Sequence, residues 1–311
     1  MISIIIPNFN GKDHLKDCFD SLYKQSYKDF EIFLVDNNST DDSIRFTEKN
    51  YPEVKIIRFN YNSGFAIAVN QGIKVSSSEF VLLLNNDTEC DVNFLREMLN
   101  GMTDKETGSV ACKMLNYTNR DIIDDAGDFV KAKGSPYARG YGVQDIGQFD
   151  KDEYIFGACA GAALYRREIF DILGYFDEDF FAYYEDVDFS FRMQLFGYKC
   201  FYNPKAICYH KRGATTGGKS EFQTMLCEQN LVQLRLKNYP AGMYLKCLPY
   251  FTAVRVKRYY LFLTKHSFSL FAAATKGYFR GLMKIPKAYK KRKFIQKSKI
   301  VPDEYLESIL K

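Results

Sequence analysis

Phe80-Val81-Leu82-Leu83-Leu84-Asn85-Asn86-Asp87 runs five apolar residues straight into three polar ones. A strand buried on both faces reads as a continuous apolar run, whereas a half-buried strand alternates. Three further runs of this kind lie upstream: Ser3-Ile4-Ile5-Ile6-Pro7, Glu31-Ile32-Phe33-Leu34-Val35-Asp36 and Val54-Lys55-Ile56-Ile57-Arg58. Helical segments separate them. One starts near Asp13, with Leu15, Cys18, Phe19 and Leu22 at helical spacing. A second follows Ser39-Thr40-Asp41-Asp42, which supplies caps and first-turn acids, and a third spans Phe65 to Val75. Strands alternating with helices imply an α/β fold whose sheet is mostly parallel, with right-handed crossovers.

The strand ends carry the polar groups. Pro7-Asn8-Phe9-Asn10, Asp36-Asn37-Asn38 and Asn85-Asn86-Asp87 fall on one carboxyl edge, where open α/β sheets bind ligands. Each alone would pass for a helix cap; together they predict a cleft. Residues 117–154 lose periodicity and read as a loop-rich insertion, a lid or a wall. The small-residue stretch Gly157–Ala163 suits close approach of backbone to a ligand or helix. Beyond it, helices are expected from Arg166 to Leu173, Tyr184 to Phe196 and Glu221 to Lys237. Short strands are expected at Lys199–Tyr202 and Ala206–Tyr209.

A chain of 311 residues with 27 Phe and 23 Tyr has too much apolar surface for a solvated coil. Pro7 and Asn8 end the first apolar run too early for a signal peptide, and no window reaches the ~18 unbroken apolar residues of a membrane span. Eight cysteines show no CxxC pair and read as reduced core thiols of a cytoplasmic protein. Charge divides sharply. Residues 1–234 carry 25 Lys and Arg against 35 Asp and Glu, whereas residues 235–299 carry 17 Lys and Arg and no acid. The expected organisation is a folded region over 1–234, in halves of about 1–115 and 116–234, followed by a basic, aromatic-rich helical extension over 235–311.

Asp87 ends a buried strand, and Glu185, Asp186 and Asp188 concentrate acid beyond the small-residue stretch. Mg²⁺ and Mn²⁺ take oxygen ligands and share them with substrate phosphates, so one or two carboxylates suffice. Neighbouring carboxylates disfavour each other's ionised forms, which tunes one toward a base. At these residues the sequence resembles a known family. Ser3–Asn10, Val35–Asp41, Asn62-Ser63-Gly64-Phe65-Ala66 with Asn70, Leu84–Asp87, Gly174–Glu178 and Tyr184–Phe189 resemble, in order, the motifs of family 2 GT-A glycosyltransferases, in their rhamnosyltransferase-like, non-processive branch.

The resemblance implies a GT-A, Rossmann-like sheet flanked by helices and an inverting transfer of a sugar, rhamnose or another hexose. The donor would be a UDP- or dTDP-linked sugar, and the acceptor a glycan or lipid-linked glycan in cell-surface polysaccharide synthesis. It further implies that Pro7, Asn8, Phe9, Asn10 and Asp36 hold the base, with Asp36 accepting from the pyrimidine N–H, and that Asn38 also contacts the donor. Asn62, Gly64, Asn70 and Asn86 would border ribose and diphosphate, and Arg192 would meet acids or the diphosphate. Asp87, His210 and Asn85 would hold a divalent cation, Mn or Mg, and Asp186 would be the general base beside Glu185. Asn85 stands where the family has an acid, which leaves fewer charged ligands. The absence of Trp, and with it of a Gln-x-x-Arg-Trp motif, argues against a processive synthase.

Two other functions fit parts of this pattern. A sugar nucleotidyltransferase would carry a Gly-rich basic loop after the first strand, where Gly11 and Lys12 alone stand. A silent nucleotide-sugar-binding or scaffold subunit would need neither Asp87 nor Asp186. The extension interleaves cations with aromatics, as in Arg255–Phe262 and Lys290–Lys293. That mixture suits an anionic membrane surface contacted through 235–299 and a peripheral position at the inner face of the cell membrane. No nucleic-acid motif accompanies it.

Overall fold

The four runs pair side by side; three present two greasy faces, and the fourth, Val54–Arg58, with Lys55 and Arg58 exposed, takes the edge. In the computed structural model, which describes residues 1–131, 134–211 and 220–310, the chain begins β1 (Ile2–Asn8), α1 (Lys12–Tyr23), β2 (Phe30–Asp36), α2 (Ser43–Asn50), β3 (Lys55–Arg58), α3 (Phe65–Val75) and β4 (Phe80–Leu84). β1 runs parallel to β2 and β4, and β2 parallel to β3. Alternate residues face opposite layers. Ile5, Val35, Val81 and Leu83 pack with Val69 and Ile73 of α3, while Ile4, Ile6, Leu34, Leu82 and Leu84 pack with Leu15, Phe19 and Leu22 of α1.

There follow β5 (Thr88–Cys90), α4 (Phe94–Asn100), β6 (Thr107–Asn116), β7 (Ile123–Asp125), β8 (Asp128–Val130), β9 (Pro136–Ala138), β10 (Glu153–Ile155) and β11 (Ala162–Arg166). The main sheet has the order β10-β12-β6-β11-β4-β1-β2-β3. β11 lies antiparallel between β4 and β6, so the small-residue stretch leads into a central strand. Two of its glycines mark close approaches. A Cβ on Gly157 would meet Ser190 Oγ at 2.2 Å, and one on Gly161 would meet the Asn85 amide at 3.0 Å. The insertion holds four short strands, β7 to β10, where no periodicity predicted any.

α5 (Glu168–Leu173), α6 (Glu185–Leu195), β12 (Lys199–His210) and α7 (Glu221–Asn238) complete the part of the chain that carries the predicted site residues. The two short strands expected at 199–202 and 206–209 are one strand. Its pairing with β6 slips between Asn203 and Ile207, where Pro204 has no N–H to give the ladder. Residue 234, where the charge changes sign, lies within α7.

α8 (Ala241–Leu261), a π-helical turn at Phe262–His266, α9 (Phe268–Met283), α10 (Ile285–Ser298) and α11 (Asp303–Ile309) form the extension. Gly277 and Gly281 let α9 approach α7 closely; Cβ atoms there would lie 2.1 Å from Met225 O and 2.8 Å from Gln229 O. Buried charge also joins extension and body. Lys237 bridges Asp177 and Asp188, Lys291 of α10 pairs with Asp177 and Asp179, and Arg255 and Arg258 of α8 pair with buried Glu228. No helix among the described residues is long and apolar enough to cross a membrane.

Candidate active site

The carboxyl ends of β1 and β4, the end of β12 and the start of α6 enclose a cavity of about 800 Å³. Of the predicted site residues, Pro7, Asn8, Phe9, Asn62, Gly64, Asn85, Asn86, Asp87, Glu185, Asp186 and His210 line it. Asn8 fixes one wall: its carbonyl accepts from the Asn86 amide at 2.7 Å, and its own amide donates to Asp36 at 3.1 Å. Gly64 joins the wall to the other side. It has φ +83°, a Cβ there would lie 2.4 Å from Phe181 O, and the next N–H, of Phe65, donates to that oxygen at 2.7 Å. Only glycine fits that turn.

Five predicted donor contacts do not line the cavity. Arg192 is buried, and its guanidinium is spent on Asp188 and on the carbonyls of Leu173, Gly174 and Tyr175. Asn70 is likewise engaged, its side chain bonding both the N–H and the carbonyl of Phe176 at 3.0 and 2.9 Å. Both side chains hold the loop that leads to Asp186, and of the two partners expected for Arg192 it is an acid, Asp188, that it meets. Asp36 accepts from Asn8 and Ser39, and exposed Asn10 from Thr40 N–H. Asn10 and Asn38 take left-handed φ of 52° and 66° and shape the turns after β1 and β2.

Asp87 and His210 meet at 3.3 Å, Oδ1 to Nε2. The other ring nitrogen, Nδ1, lies 2.7 Å from Asp124 Oδ2. Burial alone would lower the pKa of His210; the carboxylates of Asp124 and Asp87 outweigh it and raise it to about 10. Burial pushes the Asp87 carboxyl up, but the His210 contact carries it below its ordinary value. Asp124, on β7, is the residue that sequence reasoning missed. Nothing in the irregular insertion marked it, although Asp124 and Asp125 stand together there.

Across the cavity, Tyr183 and Tyr184 adopt left-handed φ of 71° and 69°, unusual for aromatic residues. Asn230 of α7 secures this turn by donating to the carbonyls of Ala182 and Tyr183. The turn delivers Glu185 and Asp186 to the first turn of α6. Asp186 accepts from Val187 N–H at 2.8 Å and from Ala160 N–H at 3.2 Å, so the small-residue stretch orients it. Glu185 is buried with Oε2 lacking a hydrogen-bond partner. Burial first, then the nearby Asp186 charge, raises its pKa well above the ordinary range.

The donor set fits a divalent cation. Asp87, Asp125, Asp128, Glu185 and Asp186 line the cavity, and no Lys or Arg does so among the described residues. A diphosphate entering such a cavity needs a positive partner. Oxygen and imidazole ligands at Asp87 and His210 suit one, the cation taking the place of the proton on His210 Nε2. A second group, Asp125, Asp128 and Cys159, has its ligand atoms within 4.8 Å of one another.

Residues 3–174 match the glycosyl transferase family 2 profile, which spans more than half of the chain. The chain belongs to glycosyl transferase family 2. This family 2 protein is 28% identical over 224 residues to the O-antigen biosynthesis protein RfbC of Myxococcus xanthus, covering 69% of this chain and 17% of that one. It is 26% identical over 224 residues to the poly-beta-1,6-N-acetyl-D-glucosamine synthase of Staphylococcus epidermidis, covering 70% of this chain and 51% of that one. It therefore spans about half or less of either relative. Its fold is that of the mannosyltransferase PcManGT from Pyrobaculum calidifontis, solved with GDP-Man and Mn²⁺; the TM-score is 0.55 at 16% identity, covering 99% of this chain and 78% of that one. The GT-A architecture implied by the sequence motifs is thus the one present.

Proposed function

We propose that this family 2 glycosyltransferase moves a hexose-type sugar from a UDP- or dTDP-linked donor to a glycan or lipid-linked acceptor, with inversion, in cell-surface polysaccharide synthesis. The observation that carries the reading is one cavity holding Asp87 and His210 on one side and Asp186 on the other. A Mn²⁺ or Mg²⁺ ion held by Asp87 and His210, with Asn85 beside them, would supply charge neutralisation for the departing diphosphate. Asn8, Asn86, Asn62 and Gly64 would border the nucleotide. Asp186 would take the proton of the attacking hydroxyl.

The division of labour between the two adjacent acids follows from their surroundings. Burial and the neighbouring Asp186 charge push the Glu185 carboxyl upward, toward its neutral form, whereas Asp186 is oriented by hydrogen bonds from Val187 and Ala160. The nucleotidyltransferase reading loses its basic loop. Lys12 turns to Asp42 at 3.8 Å and does not line the cavity. A silent scaffold would have no use for two acids converging on one cavity. The basic extension would bring the enzyme to the cytoplasmic face of an anionic membrane, where a lipid-linked acceptor is found.

Thermal unfolding with nucleotides tests this reading, because a ligand of the native state stabilises by mass action. UDP or dTDP with Mn²⁺ is expected to raise Tm, and neither should do so with EDTA. No shift with any nucleoside diphosphate or nucleotide sugar would refute the donor site. Asp124 gives a second expectation. A carboxylate on the far nitrogen of a ligating histidine fixes its tautomer, and its loss typically weakens metal binding about 10–100-fold. Asp124→Asn should weaken Mn²⁺ binding, followed by calorimetry, by about that factor. Unchanged affinity would show that Asp124 only fills space.

A further inference from the structure

α8 is apolar on two opposite faces. Met243, Cys247 and Phe251 turn inward and are buried. On the other side Leu245, Leu248, Val256 and Tyr260 recur at helical spacing, and Leu263 extends the row into the π turn; their exposures are 68, 43, 63, 64 and 52%. At about 100° per residue the five fall within a sector of about 120°, opposite the buried three, along about 22 Å from Leu245 to Tyr260. An exposed apolar row of this length marks an interaction surface.

Its charge identifies the partner. Residues 235–302 contain no acid, and from α11 Glu307 reaches α8 at Lys246, 3.5 Å away, at the Leu245 end of the row. Lys257, Lys265 and Lys276 are exposed and pair with no acid among the described residues. In the basic cluster of α10, which looks the stronger candidate in sequence, Lys291 and Arg292 are spent on the body of the protein, while Lys290 and Lys293 stay exposed. Lys287 and Lys291 pair with Asp177 and Asp179, and Arg292 donates to the carbonyls of Leu236 and Tyr239. A second copy of the chain would bring two lysine-bearing faces together. An anionic bilayer satisfies both features, since apolar side chains enter the interface while lysines meet headgroup phosphates.

We propose that this outward face of α8, and not the Lys290–Lys293 cluster, is the surface that docks on anionic lipid. The assignment rests on the reading of residues 235–299 as a membrane contact. Co-sedimentation of the full chain with vesicles, at low salt, tests it. Wild type should sediment with phosphatidylcholine–phosphatidylserine vesicles and not with phosphatidylcholine alone. Val256→Glu combined with Tyr260→Glu should lower partitioning about tenfold with Tm unchanged, both side chains being exposed. Lys290→Glu combined with Lys293→Glu should retain most of it. If the α10 variant loses binding and the α8 variant keeps it, the extension contacts membrane but this face does not. If wild type ignores both vesicles, the membrane reading itself falls. If wild type is dimeric in sedimentation velocity and the α8 variant is monomeric, with no vesicle binding by either, the face is a self-association surface and the proposal is overturned.

Discussion

Asp186→Asn is expected to lower turnover by about 10²–10⁴-fold, the range that a positioned general base contributes. The substitution keeps the shape of the side chain and one oxygen, which suffices for the shorter bond from Val187 N–H, while Ala160 N–H, which bonds the other carboxylate oxygen, loses its acceptor; the turn after Tyr184, held also by Asn230, should persist. It removes the capacity to accept a proton. The loss should therefore fall on kcat, and the affinity for nucleoside diphosphate should stay within a few-fold of wild type. Pre-steady-state and steady-state assays of sugar transfer, paired with calorimetry of the nucleotide, would separate the two. Unchanged turnover would remove Asp186 from the chemistry, and lost nucleotide binding would make it a structural residue.

The second large effect concerns stability. Lys237 is buried between Asp177 and Asp188, and Lys291 reaches the same Asp177 from α10. Burial alone would raise the Asp177 carboxyl; the two ammonium groups outweigh it and hold its pKa far below the ordinary range. Asp177→Asn should cost about 3–5 kcal/mol, because it leaves buried positive charge short of its partner. The sign with pH follows from the same contact. A depressed carboxyl stabilises the fold above its ordinary pKa, near 3.8, and that stability drains away as pH falls below this value toward the folded pKa. Urea unfolding at neutral and acid pH checks both. In wild type the midpoint should fall steeply below about pH 4, and in Asp177→Asn it should start lower and fall less. A neutral-pH midpoint within error of wild type would show that the cluster contributes nothing.

This cluster also explains why the extension is tied to catalysis in the proposed scheme. Asp177 and Asp179 belong to the loop that Asn70 and Arg192 hold at Phe176 and at residues 173–175, and that loop ends in the left-handed turn before Asp186. α10 thus braces the segment that positions the proposed base.

The strands were legible because burial on both faces leaves a plain mark: Ile4–Ile6, Phe33–Val35 and Val81–Leu84 became adjacent strands, and α3 has the bounds its spacing predicted. The polar ends of β1 and β4 were legible for the same reason, since a charged or amide group after such a run has few uses away from an edge. Side-chain direction was not. Asn70 belongs to a motif of the family and Arg192 lies just beyond one, yet both turn toward backbone groups of the 173–176 loop. Asp124 reaches His210 from an insertion whose strands, three residues each, are too short to show a periodicity. Pro204 disguised β12 as two strands. In the extension, composition counted cations without separating those that bind Asp177, Asp179 and Glu228 from those that face outward.

The most direct measurement is an anomalous-difference map from a crystal grown with Mn²⁺ and UDP. The expected result is a manganese peak between Asp87 and His210, contacting the diphosphate, with the Asp186 carboxylate facing it across the same cavity. A peak held only by Asp125, Asp128 and Cys159, or nucleotide density remote from Asp186, would contradict the account.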